Sequence, residues 1–181
     1  MDYVHKLQEF RAEDLSRDFR QAFDYWDKLR GQRARPTWRE VDMMALPLRL
    51  VPWCSVVDVI SDGEDFVFRF FGTARARMQG RDYTGRSVRE FTSDKMVAKA
   101  FAELGDVLHR RAPLLHYTEI HPNPEDNRKP AGYEVFRLPF GSGDDIDTIL
   151  TIVDYSALSR IIYDWFEVEP PIDLMVGGHV N

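Results

Sequence analysis

The chain has 181 residues, and its 44% hydrophobic and 13% aromatic content is enough for one packed domain with an extension. A formal net charge of −6 argues against general nucleic-acid binding, because phosphate recognition needs clustered Lys and Arg. We interpret the one basic cluster, residues 30–39, as a solvated linker. No segment approaches the ~18 consecutive apolar residues of a membrane span, and the N-terminus lacks a secretion signal. We therefore expect a cytoplasmic protein that binds neither nucleic acid nor membrane.

The first predicted element is an amphipathic helix from Leu15 to Leu29, ended by Gly31 and Pro36. Its apolar residues recur at spacings of 4, 3, 4 and 3, which places them on one stripe: Leu15, Phe19, Ala22, Trp26 and Leu29. Such a stripe must be buried, either on its own domain or against a second copy of the chain. The second alternative makes these five residues candidates for a homodimer interface.

A second short helical stretch, Trp38–Leu48, precedes an ordered series of strands and helices. Alternating apolar residues and turn signals predict two strands, a short helix, a longer helix, three more strands and a short final helix that ends near Phe166. Their bounds are Ser55–Ile60, Phe66–Phe71, Thr73–Gln79, Asp94–Arg111, Leu114–His121, Tyr133–Phe140 and Thr148–Tyr155. In the second strand, alternation places Phe66, Phe68 and Phe70 on one face and Phe71 on the other.

The residue types give little support for catalysis or metal binding. The single cysteine, Cys54, excludes an internal disulfide, fits a reducing compartment and has no identifiable base beside it. His116 and His121 are five residues apart on a predicted strand and so point to opposite faces. We therefore predict no catalytic residue and no metal site.

The order of elements and four stretches of sequence resemble the PAS sensor superfamily, with the closest likeness to the short single-domain PAS proteins of alphaproteobacteria. These stretches are YWDKLRGQRARPTWREVD at Tyr25–Asp42, FRFFGTA at Phe68–Ala74, GRDYTGRS at Gly80–Ser87 and YEVFRLPF at Tyr133–Phe140. The resemblance spans residues 20–155. This chain departs from the pattern at Met43, where the short single-domain PAS proteins commonly have proline.

The resemblance implies an α+β fold, in which a five-stranded antiparallel sheet carries helices on one face and an N-terminal helical extension is added. The corresponding division is a helical extension at 1–52, a PAS-like core at 53–156 and a C-terminal helix and tail at 157–181. The resemblance also implies a bacterial sensor that dimerises through its N-terminal helix. It does not identify a cofactor. Flavin photosensors of this class need a cysteine after the second strand, whereas Cys54 precedes the first.

Polar side chains within apolar strands are the candidates for a ligand pocket: Arg69, Tyr117 and Arg137. Arg137 could form a cross-strand pair with Glu119, or an arginine could bind a ligand carboxylate or phosphate. Met78 could flank the cavity or fill the core.

A haem site is a separate alternative, because Ala98, Ala102, Gly105 and His109 form one row on the long helix. His109 could equally be a cation at the helix C-terminus, where the carbonyl dipole favours positive charge.

These observations favour a non-enzymatic sensory protein that binds a small ligand or relays through protein contacts. Since no output module is predicted, we expect the signal to pass to a separate protein. The alternatives are an interaction module with a filled core and no ligand, and, with less support, a haem sensor or a small enzyme with a converging acid and base.

Overall fold

The computed structural model describes residues 2–154 and 160–165, which form an α+β fold around a six-stranded antiparallel sheet. The strand order is β1-β4-β5-β6-β2-β3. The strands are β1 (Asp2–Gln8), β2 (Cys54–Ile60), β3 (Asp65–Phe71), β4 (Leu114–His121), β5 (Ala131–Phe140) and β6 (Thr148–Asp154). The helices are α1 (Arg17–Arg30), α2 (Thr73–Met78), α3 (Asp94–Arg110) and α4 (Arg160–Trp165).

Apart from the stretch Trp38–Leu48, the predicted strands and helices are present within a few residues of their expected bounds, and the sheet has one additional strand. Strand β1 pairs antiparallel with β4 along one edge, from Asp2 opposite His121 to Gln8 opposite Leu115. The stretch Trp38–Leu48 forms two short 3-10 turns, Trp38–Glu40 and Met43–Ala45, rather than one helix.

One face of the sheet is covered by α1. Ser16 caps the helix by accepting a hydrogen bond from the Phe19 backbone N–H. Phe19 stacks on Phe136 of β5 with ring centroids 5.3 Å apart, and Trp26 Nε1 donates to the Pro139 carbonyl at 2.8 Å. Helix α1 thus contributes Phe19, Ala22 and Trp26 to the hydrophobic core on this face of the sheet.

The opposite face is covered by α2, α3 and α4. Alternation along β5 points Tyr133, Val135 and Arg137 to this face, while Phe136 and Leu138 point to α1. Of the predicted C-terminal helix and tail, only α4 lies within the residues described here, and its Ile162 and Trp165 are buried.

A bulge in β3 corrects the predicted placement of its aromatic residues. Val56 pairs with Phe70 and Val57 with Phe68, so Arg69 has no partner position on β2. The extra residue shifts the alternation. Phe71 therefore joins Phe66 and Phe68 under α3, and Phe70 packs on the α1 side. The strand is apolar on both faces, as expected, but the prediction for Phe70 and Phe71 was wrong.

Because Phe19 is fully buried between α1 and the sheet, we expect Phe19→Ala to lower the free energy of unfolding by about 3–5 kcal/mol. Lys28→Ala on the exposed side of the same helix is the matched control and should change it by less than about 0.5 kcal/mol. Urea unfolding of both variants measures the difference. Equal stabilities would contradict the docking of α1 on the sheet.

Candidate ligand-binding site

The buried side of α3 carries two charged residues among its apolar ones. Its buried residues are Met96, Lys99, Glu103, Leu104 and Val107. Lys99 Nζ donates to Glu103 Oε1 at 2.7 Å, one helical turn along, and the two side chains are 9% and 1% exposed. An i,i+4 pair of this kind is ordinarily solvated. Here it faces the sheet.

Across the interface, Arg137 of β5 completes the cluster. Its Nη2 donates to Glu103 Oε2 at 2.6 Å, and its Nη1 lies 3.3 Å from His116 Nδ1 on β4. His116 Nε2 lies 3.3 Å from Asp106 Oδ2. Because Arg137 can only donate, His116 accepts at Nδ1, and its proton lies on Nε2 toward Asp106.

The cluster joins two cations to one carboxylate, which fixes the ionisation of its members. Burial alone would raise the pKa of Glu103, but the charges of Arg137 and Lys99 outweigh it and lower the pKa to about 2. Burial lowers the pKa of Lys99, and Glu103 opposes that effect. Glu103 is therefore ionised at neutral pH.

His116 remains neutral in this environment. Its side chain is completely buried, and burial together with the charge of Arg137 lowers its pKa from 6.5 to about 4. Glu103 and Asp106 oppose this shift without cancelling it. The cluster thus places two basic side chains, Lys99 and Arg137, against the single carboxylate of Glu103, with the neutral His116 beside them.

The cluster borders a cavity of about 50 Å³ between α3 and the sheet. Its polar wall consists of Arg75, Gln79, Lys99, Glu103, Tyr133 and Arg137. Its apolar wall consists of Phe91, Met96, Ala100, Val135, Val153 and Trp165. Arg75 donates to the Ser55 hydroxyl and lies over the Phe71 ring, with its Cζ 4.9 Å from the ring centroid.

Some buried polar atoms of the lining residues have no hydrogen-bond partner within the described part of the chain, among them Arg137 Nε, Gln79 Oε1 and Trp165 Nε1. Gln79 is 5% exposed, Arg137 6% and Trp165 7%. Buried polar groups are almost always satisfied, so such a group needs an explanation.

Comparison with known proteins identifies the family of this chain. A family model described as "PAS domain" matches residues 15–153, which is more than half of the chain. The chain belongs to the PAS domain family. No curated protein matches it. Among solved structures, a Rhodobacter sphaeroides LOV protein is similar at 20% identity with a TM-score of 0.39; the match covers 56% of this chain and 57% of that one, less than two thirds of its length.

The PAS assignment supports a sensory signalling module in general and confirms the predicted family. PAS domains are typically non-enzymatic. Within residues 2–154 and 160–165, no helix is long and apolar enough to cross a membrane. The same residues contain no group of three or more His, Cys, Asp or Glu side chains that could hold a metal ion.

Of the predicted pocket residues, Arg137 lines the cavity between α3 and the sheet, whereas Arg69 lines a separate groove of about 540 Å³. Arg69 is exposed at the β3 bulge, where it pairs with Asp58 at 2.7 Å and its Cζ lies 6.0 Å from the Trp38 ring centroid. Tyr117 lies half-buried on the face of β4 opposite His116. Met78 is buried in the apolar cluster beside the cavity.

The predicted pair between Glu119 and Arg137 is wrong. In the β4–β5 register, Glu119 lies opposite Gly132 whereas Arg137 lies opposite Leu114, and the two side chains occupy opposite faces. Glu119 instead contacts His121 Nε2 at 2.8 Å. Arg137 is therefore available to Glu103 under α3.

The row considered for haem faces away from the cavity. Ala98, Ala102 and His109 are exposed, and a Cβ built at Gly105 would meet no atom within 4 Å. His109 lies in the last turn of α3, where a cation is favourable. The row therefore gives no support for a haem pocket in this PAS domain.

The proposed dimer stripe is already covered within its own chain. Leu15, Phe19, Ala22 and Trp26 are 8% exposed or less, and Leu29 is half-buried. A homodimer stays a prediction. A seam made by these five residues would require α1 to leave the sheet.

Sequence reasoning missed Lys99 and Glu103, because charged residues four apart on a helix are read as a solvated pair. A signal was present: Met96, Ala100, Leu104 and Val107 define a helical stripe that contains both charged positions. Gln79 ends a short helix and carried no comparable pattern.

Cys54 is structural rather than reactive. Its thiol is buried and donates to the Leu50 carbonyl at 3.3 Å. Burial raises the pKa of the thiol to about 12, so it stays protonated at neutral pH.

The buried neutral His116 makes stability fall in mild acid. Its folded pKa lies below its unfolded pKa, so between about pH 4 and 6.5 the unfolded chain binds the proton more tightly. The wild type therefore loses free energy of unfolding between pH 7 and pH 4.5, and we expect His116→Gln to make this loss smaller by about 1–3 kcal/mol. Urea unfolding at several pH values measures this.

His109→Gln, at the exposed histidine of α3, is the matched control and should keep the wild-type pH dependence. If His116→Gln also kept it unchanged, the neutral state of His116 would be disproved.

Proposed function

We propose that this PAS domain is a cytoplasmic sensory module that binds a small ligand between α3 and the sheet and signals to a separate protein. One observation carries the proposal. The cavity is lined by a buried charge cluster and by polar atoms that lack partners in the described residues. Replacing buried charges by well-packed apolar side chains is often neutral or stabilising, so packing alone does not account for them. The reduced Cys54 fits the cytoplasmic location.

The route of the signal runs through β5. Arg137 faces the cavity, whereas its neighbours Phe136 and Leu138 contact the apolar cluster under α1. A ligand that binds Arg137 and shifts its side chain would therefore change how α1 packs on the other face of the sheet. Such a shift between two packings is a means of signalling that needs no catalytic step.

A ligand-free interaction module is the second candidate. It is favoured by the small size of the cavity and by the three apolar clusters that fill the space on both sides of the sheet. The two candidates differ in whether anything occupies the cavity.

Filling the cavity separates them. Ala100 lines the cavity on α3, so Ala100→Leu should displace a bound molecule and remove the mass that native mass spectrometry detects on the purified wild type. Ala98→Leu adds the same atoms on the exposed side of α3 and should leave that mass in place.

A wild-type protein without any retained mass, together with an Ala100→Leu variant that is more stable than the wild type, would favour the ligand-free module. Filling an empty apolar space stabilises a protein, whereas competition with a ligand does not.

A further inference from the structure

We propose that the ligand of this cavity is a small monocarboxylate of about four or five non-hydrogen atoms. This inference rests on the proposed function. The size follows from the volume: a water needs about 10–15 Å³ of cavity, so 50 Å³ holds about three to five water positions. Acetate and propionate match this space.

The charge of the walls sets the sign of the ligand. Lys99 and Arg137 face a single carboxylate, Glu103, and His116 behind them is neutral at pH 7. Asp106 lies beyond His116, is 39% exposed and does not line the cavity. This leaves one basic side chain in excess, and a buried cation is costly unless an anion compensates it. The guanidinium of Arg75, held by Ser55, adds to the same wall but is not needed for the excess.

Several residues that line the cavity carry hydrogen-bond donors. Arg137 Nε and Trp165 Nε1 each carry an N–H with no acceptor among the described residues. Lys99 has three N–H donors and gives one of them to Glu103. A half-turn of the Gln79 amide, whose Oε1 is equally unpaired there, would present its NH₂ group. An acceptor with two oxygens satisfies this set.

The apolar residues of the cavity distinguish a carboxylate from other oxyanions. Met96, Val135 and Val153 present apolar surface beside the cluster. A short methyl or ethyl group would pack against them, whereas phosphate, sulfate and nitrate present oxygen on every side. The cavity is thus matched to a carboxylate with a short apolar tail.

Thermal unfolding of the full chain at pH 7 and constant ionic strength tests this with defined probes. Acetate and propionate should raise the unfolding temperature with increasing concentration, because a compound that binds only the folded state stabilises it. Acetamide and propionamide have nearly the same shape without the charge and should have no effect. Phosphate and sulfate should act only as general salts, equally on all variants.

Two substitutions change the charge balance in opposite directions. Lys99→Met leaves Glu103 paired with Arg137 and no excess charge, so it should weaken propionate binding about tenfold or more. Glu103→Gln raises the excess to two and should strengthen binding while lowering the stability of the ligand-free protein. Lys28→Met, at an exposed lysine of α1, is the matched control and should bind as the wild type does.

The alternative outcomes are distinct. Stabilisation by the amides but not by the carboxylates would overturn the carboxylate assignment and leave a ligand-binding module. So would phosphate or sulfate binding that is lost in Lys99→Met. If Glu103→Gln does not fold, an undiminished affinity of Lys99→Met for propionate still disproves the inference. No stabilisation by any probe, with no retained mass in native mass spectrometry, would overturn both the inference and the proposed function.

Discussion

The buried carboxylate of Glu103, on the side of α3 that faces the sheet, contacts the basic side chains of Lys99 and Arg137. This ionic contact determines the arrangement of the half of the domain that surrounds the cavity. A carboxylate that is 1% exposed can remain ionised only if its charge is compensated at close range. Lys99 and Arg137 provide that compensation at 2.7 and 2.6 Å. The contact ties α3 to β5 and fixes the neutral state of His116. It also places the basic side chains of Lys99 and Arg137 in the lining of a cavity of about 50 Å³.

The position of Arg137 on β5 connects the two faces of the sheet. Side chains alternate along the strand, so the residues next to Arg137 pack against the apolar cluster under α1. A change in the position of Arg137 would therefore affect the packing on both faces, as the proposed function requires.

Strong periodicity made most of the fold predictable. The strands β4, β5 and β6 and the helices α1 and α3 follow from patterns that tertiary contacts reinforce. β1 was missed because Asp2–Gln8 is mostly polar, and an edge strand pairs through its backbone. The bulge at Arg69 depends on pairing with β2, which no pattern within β3 reveals. The register between β4 and β5 determines which side chains meet at the site. The sequence placed Arg137 in an apolar strand, but the β4–β5 pairing is needed to show that Arg137 and Glu119 lie apart.

The most direct test of the buried contact compares Glu103→Gln with the double variant Glu103→Gln/Lys99→Met by urea unfolding at pH 7. The single variant leaves Lys99 and Arg137 buried without an anion, a change that typically costs about 3–5 kcal/mol. Removing Lys99 as well takes away one of the uncompensated charges. The double variant should therefore be more stable than the single one. A double variant that is no more stable than Glu103→Gln alone would contradict the account.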